Sequence, residues 1–385
     1  MAENEEPNAA TLLPSNFRIA EVVPRPAGPI ASGVSPPPAP APAPSLGPLI
    51  AFTGNYHGNG FNTIFRPNST QTPTKLPAGP AGGDNVLELN LTSETLSFSS
   101  PLGSVPNRGM VQGDAFLNGV PYLQSINDIT TAGRAVGIHL EPGLWVIVPP
   151  TTNPQEITTF VRMASIPHGT TINAQGTART FSGAPTIPAV SITPSLLSNG
   201  APIAFPSQTA ANARTPRIPQ DLGPFVAAGT ITQAMLDDPN SVLRSRLAGQ
   251  HVITTTEISI STQPLVPLIG GGTDNIAFLQ PNADAVRMDA TFWIETIEHT
   301  IVIPTHTPNQ PLHLVPQPVG GAGPHPQPQF TITPPAGIAV GQTIKLRSTQ
   351  IQYTQTVFLN FNGLRWPHVS VATLVPSGPI VSPWP

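Results

Sequence analysis

A regular alternation of apolar and polar residues runs through most of the chain after position 48, and it predicts β-strands. The clearest example is AVRMDATFWIETI, in which every second residue is apolar: Val286, Met288, Ala290, Phe292 and Ile294. A period of two puts alternate side chains on opposite faces of a strand. The other face carries Arg287, Asp289, Thr291, Trp293 and Glu295, so we expect one face of this sheet to be more polar.

The alternation changes phase within three segments, and each change predicts a break in the strand. In NVLELNLTSETLSFS, leucines at odd positions give way to Leu96 and Phe98, which predicts a hairpin. In AVGIHLEPGLWVIVPP, the pair Pro142 and Gly143 predicts a tight turn between two short strands. In QTIKLRSTQIQYTQTVFLNF, the phase slips near 348–350, which predicts a bulge or a tight bend.

Two long segments interrupt the strand pattern. The first, about 180–250, is rich in Pro and Ser and ends in the helical pattern ITQAMLDDPNSVLRSRLAG over 231–249, which Pro239 divides. The second is a Pro-rich loop over about 304–329. About ten strands around these insertions predict an all-β fold with one large, closed or nearly closed antiparallel β-barrel. It is expected to span 48–376, with one short helical insertion and a C-terminal tail over 377–385.

The first 47 residues have a different composition from the barrel region. Ten prolines fall among the thirty residues from Glu21 to Ile50, including the run SPPPAPAPAPSLGP. Alternating Pro and Ala favour extended polyproline II and supply too little apolar bulk for a core. We therefore predict a disordered, semi-rigid tail over 1–47. A docking site for a polyproline-binding partner is the alternative, although no basic residue flanks the PPPAPAPAP run.

Composition excludes several kinds of site and partner. The 385 residues include 51 Pro and no Cys, which rules out disulfides, thiolate metal sites and a Cys nucleophile. With only 16 Lys and Arg, we expect no nucleic-acid partner. No run of about 18 apolar residues occurs, so we expect no membrane span. The acidic start MAENEEPNAATLLPSNF lacks the features of a secretory signal, which predicts a cytoplasmic protein.

Sequence motifs for common catalytic sites are absent, and histidines are the main candidates for chemistry. Neither a nucleophile elbow, a zincin motif, a P-loop nor a dinucleotide fingerprint that opens a helix occurs. The chain has nine His, of which four lie in or beside strands near aromatic residues: His57, His139, His168 and His368. Each alone is more often a structural residue, but their recurrence in separate strands favours a shared site.

Four segments resemble the nitrobindin-type heme-binding β-barrels. FTGNYHGNGFNTIFRP resembles their opening strand, G-x-W-x-G-x-G-x-G followed by Tyr-Pro-Thr. The matching residues are Gly54, Tyr56, Gly58 and Gly60, with Tyr in place of Trp. Asn62 replaces the last Gly of the pattern, and the stretch ending in Arg66 and Pro67 replaces Tyr-Pro-Thr.

The other three segments follow in the family's order. GIHLEPGLWVIVP resembles the family's L-H-x-E-x-G-F-W-R stretch, with matches that include His139 and Glu141. VRMASIPHGTTINAQG resembles A-H-P-x-G-x-x-E, with His168 displaced by a residue or two. WPHVSVATL resembles the closing strand that carries the proximal heme ligand, and His368 is the match. The spacing departs from the family, whose barrels are shorter.

This resemblance implies a heme b protein whose iron is bound by His368. It implies nitric oxide, peroxynitrite or peroxide as the small-molecule ligand, and hence isomerase-like or peroxidase-like activity. The implied pocket includes Gly54, Gly58, Gly60, Arg66 and His139. Arg66 would pair with a heme propionate, or alternatively form a surface salt bridge. His139 could instead orient Glu141 or make a hydrogen bond at a strand end.

The residues support the same placement on physical grounds. Ser370 and Ala372 share a strand face with His368, so a bulky planar ligand has room there. Neutral imidazole is a standard axial ligand of heme iron. A closed barrel pairs its first and last strands, which would bring the Gly-rich strand beside His368.

Two other functions remain open at this stage. A heme-free barrel that carries an apolar small molecule, as lipocalins do, fits the low charge and apolar strand faces equally well. A non-catalytic interaction protein would instead use the Pro-rich tail and loops. A homodimer is compatible with each of these functions.

Overall fold

Ten long antiparallel strands close into a barrel, as the sequence predicts. The computed structural model describes residues 42–76, 83–263, 270–319 and 325–384. The predicted tail therefore lies outside the described residues except for 42–47. The ten strands are β1 Gly54–Pro67, β2 Asn85–Phe98, β3 Ala115–Asp128, β4 Val136–Val148, β5 Thr159–Ile166, β6 Thr170–Ser182, β7 His251–Ser261, β8 Asp284–Val302, β9 Thr343–Phe361 and β10 Leu364–Pro376.

The barrel is an up-and-down meander. Each strand pairs with its neighbours in sequence, and β1 closes the ring by pairing with β10 from Tyr56 opposite Pro376 to Thr63 opposite Val369. A closed ring leaves no sheet edge between the first and last long strands. Closure also places β1 beside His368, although they are about three hundred residues apart in sequence.

Shorter elements lie outside the ring. Four short strands each pair with a strand of the barrel: Val105–Asn107, Ser195–Leu196, Arg217–Ile218 and Gly272–Asn275. A separate small sheet contains Leu312–Leu314, Phe330–Ile332 and Ile380–Val381, so residues from the expected Pro-rich loop and C-terminal tail contribute strands to it. Thr151–Thr152 pairs with Gln155–Glu156. The 3-10 helices are Gly47–Ala51 and Pro206–Gln208.

The segment between β6 and β7 packs against the outside of the barrel. It contains α1 (Gly223–Ala228), α2 (Gln233–Asp237) and α3 (Ser241–Leu247). The last two confirm the helical pattern predicted over 231–249, and they lie on either side of Pro239. None of the helices in the described residues is long and apolar enough to cross a membrane.

One buried arginine organises this insertion. The Arg217 side chain is fully buried, and its guanidinium donates hydrogen bonds to six carbonyl oxygens. They belong to Ser207, Thr209, Ala210, Asn212, Pro219 and Gln220. An arginine has five N–H donors, so one N–H of Nη2 is shared between two of the six carbonyls. Carbonyls that converge from several turns can thus satisfy the guanidinium without a carboxylate. The loop over 205–220 is therefore folded around this side chain.

Along individual strands of the barrel wall, the buried apolar side chains lie on the inner face in one part and on the outer face in another. In one cluster, interior side chains such as Tyr56, Leu96, Phe98, Phe292 and Leu374 fill one end of the barrel. In a second cluster, outward side chains such as Phe61, Leu87 and Leu89 pack under the insertion. A third cluster joins Ile344 and Leu346 to the small sheet. The wall is thus buried on its inner face in one part and on its outer face in another.

Two predicted breaks are wrong for this reason. The predicted hairpin is absent because β2 is one continuous strand of 14 residues, with Leu87 outside and Leu96 inside. The bulge predicted near 348–350 is also absent, since β9 pairs with β8 there without a register shift. Ile344 faces the small sheet, whereas Ile351 faces the barrel interior. In both strands, the apolar pattern changes phase at the point where burial switches from one face of the strand to the other.

The turn predicted at Pro142 and Gly143 is wrong as well. Both residues lie within β4 and pair with β3, whereas β5 reaches only as far as Gly143. Pro142 therefore lies where one side of the strand is open, and a missing N–H is tolerated at such an edge. At Gly143, an added Cβ would lie 2.3 Å from Cζ of Tyr122. Glycine is needed here because the Tyr122 ring lies across the strand.

The outer face of β8 is polar in sequence but partly buried in the fold. Trp293 packs under the insertion, and its Nε1 donates to Glu257 at 3.1 Å. Glu295 is fully buried, and Gln350 Nε2 donates to its Oε2 at 2.7 Å. Its Oε1 has no partner within the described part of the chain. Burial raises the pKa of Glu295 to about 8, despite the hydrogen bond from Gln350.

Candidate functional site

A cavity of about 500 Å³ lies within the barrel. Most of its wall is apolar and includes Ile64, Ile126, Ile166, Ile172, Met288 and Val357. A few polar side chains converge on it, among them Asn62, Gln124, His139, Gln355 and His368. Cavities of this size and composition are typical of small-molecule sites.

The structure brings three of the predicted site residues to this cavity. His368, His139 and Arg66 all line it, together with His168. These residues come from β10, β4, β1 and the turn between β5 and β6. Barrel closure is therefore what assembles side chains that are far apart in sequence.

The three predicted glycines do not line the cavity. A Cβ at Gly58 would lie 2.0 Å from the carbonyl oxygen of Thr373, and one at Gly60 would lie 2.2 Å from that of Val371. Both glycines therefore allow β1 to approach the backbone of β10 closely. Gly54 begins β1 with a φ of 73°, a conformation that favours glycine.

His368 is held by an amide on the opposite strand. Asn62 Nδ2 donates to His368 Nε2 at 2.6 Å and to Ser370 Oγ at 2.8 Å. The pKa of His368 is lowered to about 3, mainly by burial and also by repulsion from His139 and His168 in their protonated forms. The ring is therefore neutral, and because Nε2 accepts a hydrogen bond, the proton resides on Nδ1. Nδ1 makes no hydrogen bond to any of the residues described.

This arrangement does not fit iron ligation by His368. A metal requires an unprotonated ring nitrogen with an available lone pair. Asn62 occupies Nε2, and Nδ1 carries the proton. The described residues also contain no group of three or more His, Asp or Glu that could hold a metal ion. The heme b expectation therefore stays a prediction, and no chemical step below is assigned to heme.

Replacing Asn62 with Gly tests this reading of His368. We expect Asn62→Gly to bind hemin roughly fivefold more tightly than wild type, because a hydrogen bond worth about 1 kcal/mol no longer competes for Nε2. Hemin titration followed by the visible absorption spectrum measures the change. Asn62→Gly combined with His368→Ala is the control and should lose the gain. Equal His368-dependent hemin binding by wild type and Asn62→Gly would contradict the reading.

A buried ionic cluster lies beside the cavity. Arg162 Nη2 lies 2.5 Å from Glu141 Oε1, its Nε donates to Tyr122 Oη at 2.8 Å, and its Nη1 donates to Gln355 Oε1 at 2.6 Å. Tyr122 Oη also donates to Glu141 Oε1. Burial alone would raise the pKa of Glu141, but the Arg162 guanidinium and hydrogen bonds from His139 and Tyr122 lower it to about 2. Glu141 is therefore ionised at neutral pH.

A second buried carboxyl group adjoins this cluster. Glu94 accepts hydrogen bonds from Tyr353 Oη at 2.6 Å and from Thr92 Oγ1 at 2.8 Å. Burial raises its pKa, although these hydrogen bonds oppose the effect. Gln124 Nε2 donates to Tyr353 Oη at 3.0 Å, and Gln124 Oε1 accepts a long contact of 3.4 Å from Arg162. The two carboxyl groups thus belong to one polar network.

Sequence reasoning missed most of this network. Glu94, Tyr122, Gln124, Arg162 and Tyr353 lie on four different strands, and no local motif joins them. The available signal was a polar residue at an interior position, such as Gln124 in phase with Val120 and Ile126. Such residues identify a polar part of the interior but not their partners.

Two histidines connect the network to the cavity rim. His139 Nε2 lies 3.1 Å from Glu141 Oε2, and only 13% of the His139 side chain is exposed. The His139 and His168 rings lie 5.7 Å apart between centroids. Burial and the nearby charge of His139 lower the pKa of His168, which is partly exposed.

Arg66 also lines the cavity and has partners of its own. Its Nη2 donates to Thr74 Oγ1 at 2.7 Å, and its Nη1 lies 3.6 Å from Glu88 Oε2. The structure therefore gives Arg66 the salt bridge that the sequence left as one of two roles. Glu88 lines the same cavity, so charges of both signs meet there.

Comparisons with known proteins add little to this geometry. No protein-family profile and no curated protein sequence matches the chain. Among solved structures, the chain is similar to one described as "Crystal Structure of Rv2717c from M. tuberculosis". The two share 10% sequence identity and a TM-score of 0.33 over 87% of this chain and 99% of that chain. A similarity this low carries no argument about function.

Proposed function

We propose that this barrel binds a small, uncharged and largely apolar molecule that carries a hydrogen-bond acceptor. The observation that carries the proposal is an apolar cavity of about 500 Å³ with a neutral His368 in its wall. This volume lies within the range of about 300–1,000 Å³ that is usual for ligand pockets.

The hydrogen-bonding groups in the cavity wall favour a ligand that carries an acceptor. The Asn62 amide is engaged by His368 and Ser370, whereas His368 Nδ1 makes no hydrogen bond to another residue of the described chain. A ligand that covers this donor without accepting from it would leave it unpaired, at a cost of about 1–3 kcal/mol. A carbonyl or ether oxygen that accepts from Nδ1–H would remove this penalty, and a purely apolar ligand would not.

The ion pairs at and beside the cavity favour an uncharged ligand. Glu141 is paired with Arg162, and Arg66 is paired with Glu88. A ligand charge placed in an apolar cavity would need a partner of opposite sign. Because these charged side chains already have such partners, a neutral molecule is the better fit.

The heme function suggested by the family resemblance remains the second candidate. One observation favours it, which is that His139, His168 and His368 meet at a single cavity. The Asn62 amide on His368 Nε2 disfavours it. The hemin titration described above separates the two functions.

Two uncharged dyes test the proposed function. Prodan carries a ketone, whereas N-phenylnaphthylamine has no carbonyl, and both change fluorescence in apolar sites. We expect wild type to bind both dyes, and Val357→Trp to weaken binding at least about tenfold by filling the cavity. His368→Phe should weaken prodan binding roughly fivefold to tenfold, because one hydrogen bond is lost, and should leave N-phenylnaphthylamine binding nearly unchanged.

The matched control is Leu123→Trp. Leu123 is exposed on the outside of β3, so the substitution adds the same bulk without entering the cavity. Circular dichroism and thermal unfolding establish that each variant is folded. Equal dye binding by wild type and a folded Val357→Trp protein would contradict the proposed function.

A further inference from the structure

His139 has the surroundings of a positioned base. Its ring lines the cavity, and its Nε2 lies 3.1 Å from the Glu141 carboxylate. Because that carboxylate is ionised, Nε2 carries the proton and donates to it. The lone pair of the ring then resides on Nδ1, which makes no hydrogen bond in the part of the chain that the structure describes. A base oriented by a third group is a recurring catalytic arrangement.

The orienting carboxylate is itself held in place. Glu141 is fully buried and accepts hydrogen bonds at Oε1 from Arg162 and Tyr122, while Oε2 faces His139. Glu141 can therefore fix the tautomer of His139 and stabilise the imidazolium that forms when Nδ1 takes a proton. It would act as a positioning residue, since it contacts His139 rather than the ligand.

His168 offers a route for protons to leave. Its ring lies 5.7 Å from that of His139, and its side chain is partly exposed at the turn between β5 and β6. It lines the same cavity. A water molecule could bridge rings at this separation. The side chains of Glu141, His139 and His168 thus form a path from the buried network to solvent.

We propose that His139 acts as a general base that removes a proton from carbon in an uncharged ligand bound in the cavity. The proposal rests on the proposed binding function. The substrate class is a compound whose C–H bond lies next to a carbonyl group or on the carbon of a C=N group. His139 Nδ1 forms a bond to the proton, and the C–H electron pair forms a new π bond. In a carbonyl compound the oxygen takes up the negative charge until it is reprotonated, and in a C=N compound with an N–O bond that bond breaks and the oxygen leaves with the charge. His168 then returns the proton from His139 to solvent.

His368 is placed to stabilise the negative charge that forms on the acceptor group in this step. The acceptor gains negative charge as the proton leaves, and the Nδ1–H of His368 can donate to it. Preorganised donors aimed at developing charge are a major source of rate enhancement. The titratable or charged groups around His139 are Glu141 on its own strand, Glu94 on β2, Tyr122 on β3, Arg162 on β5, His168 at the adjoining turn and His368 on β10.

The elimination of nitrobenzisoxazole provides a direct test. A base removes its single heterocyclic C–H proton, the electron pair forms a nitrile, the N–O bond breaks, and a coloured cyanonitrophenolate is released. No other reactant is needed. We expect wild type to exceed an equal concentration of free imidazole by about 100-fold, and His139→Gln to lose about that factor in kcat/KM. Imidazole added to His139→Ala should restore part of the rate.

Three further measurements separate catalysis from structure. His313→Gln is the matched control, since His313 is exposed on the small sheet and should keep wild-type kcat/KM. His168→Gln should keep the rate of proton removal but become dependent on buffer concentration. N-phenylnaphthylamine binding by His139→Gln should match wild type, which establishes an intact cavity.

The outcomes distinguish this proposal from the binding function. Dye binding by wild type with no elimination above free imidazole would overturn the base and leave the binding function standing. Unchanged kcat/KM in His139→Gln would also overturn the base. Absence of dye binding together with absence of elimination would overturn both.

Discussion

Replacing Arg162 with Met will lower the free energy of unfolding by about 3–5 kcal/mol, because it leaves a buried carboxylate without its partner. Glu141 is fully buried, and Arg162 Nη2 lies 2.5 Å from its Oε1. Met fills similar volume but supplies no donor. Urea unfolding at neutral pH, followed by tryptophan fluorescence, measures the loss. Trp145 is buried in the same interior and reports on it.

An exposed ion pair provides the control for this variant. Arg179 Nη2 lies 3.0 Å from Glu257 Oε1, but 71% of the Arg179 side chain is exposed. Arg179→Met should cost less than about 1 kcal/mol. Combining Arg162→Met with Glu141→Gln should cost less than the sum of the two single changes, because no unpaired charge remains. A loss for Arg162→Met no larger than that for Arg179→Met would refute the prediction.

Replacing Glu295 with Gln will make the protein progressively more stable than wild type as pH rises. Burial raises the pKa of Glu295 to about 8 from an ordinary value of 4.5, so the folded state holds a proton that the unfolded state has released. The stabilisation from that proton is complete below 4.5 and is lost as pH rises through about 8. The difference between variant and wild type should grow by about 1.4 kcal/mol per unit between about pH 5 and 7.

Urea unfolding of both proteins across this pH range gives the difference directly. Taking a difference removes contributions shared by wild type and variant, including that of His368, whose pKa is lowered to about 3. Asp274→Asn is the matched control, since Asp274 is exposed on the short strand Gly272–Asn275, and it should follow the wild-type curve. A pH-independent difference for Glu295→Gln would show that its carboxyl group is not protonated in the fold.

The two carboxyl groups behave in opposite ways because their partners differ. Both Glu141 and Glu295 are fully buried. Arg162 supplies Glu141 with a full positive charge, which favours the ionised form. Gln350 supplies Glu295 with one amide hydrogen bond, which is too weak to offset desolvation. Glu141 is therefore charged at neutral pH beside the cavity, and Glu295 is a neutral group under the insertion.

Asn62 determines which ring nitrogen of His368 is engaged. The resemblance places His368 at the position of a heme ligand, and the structure places His368 in the cavity wall. At the position of the family's last Gly, however, the Asn62 side chain reaches His368 Nε2. A glycine would have no side chain there. His368 Nε2 is therefore engaged by an amide, and the Nδ1–H of the ring is left as a donor.

Much of the fold could be predicted from the sequence because strand alternation is a local property. The period of two in β8 identified the set from Met288 to Ile294 that faces the barrel interior. The spacing of such segments indicated one closed barrel, and closure implied that β1 adjoins β10. Pro239 marked the gap between α2 and α3, because proline disrupts a helix interior. The histidines of the cavity were candidates for the same reason, since each lies in or beside a recognisable strand.

Tertiary structure alone decided which face of each strand is covered and which polar groups meet. Alternation shows that Leu87 and Leu96 lie on opposite faces of β2, but not that the insertion covers one face and the barrel interior encloses the other. The contact between Asn62 and His368 joins residues 306 positions apart. The pairing of Glu141 with Arg162 likewise depends on two strands lying side by side. Burial and hydrogen bonding depend on distance in space, and sequence patterns report only neighbours along the chain.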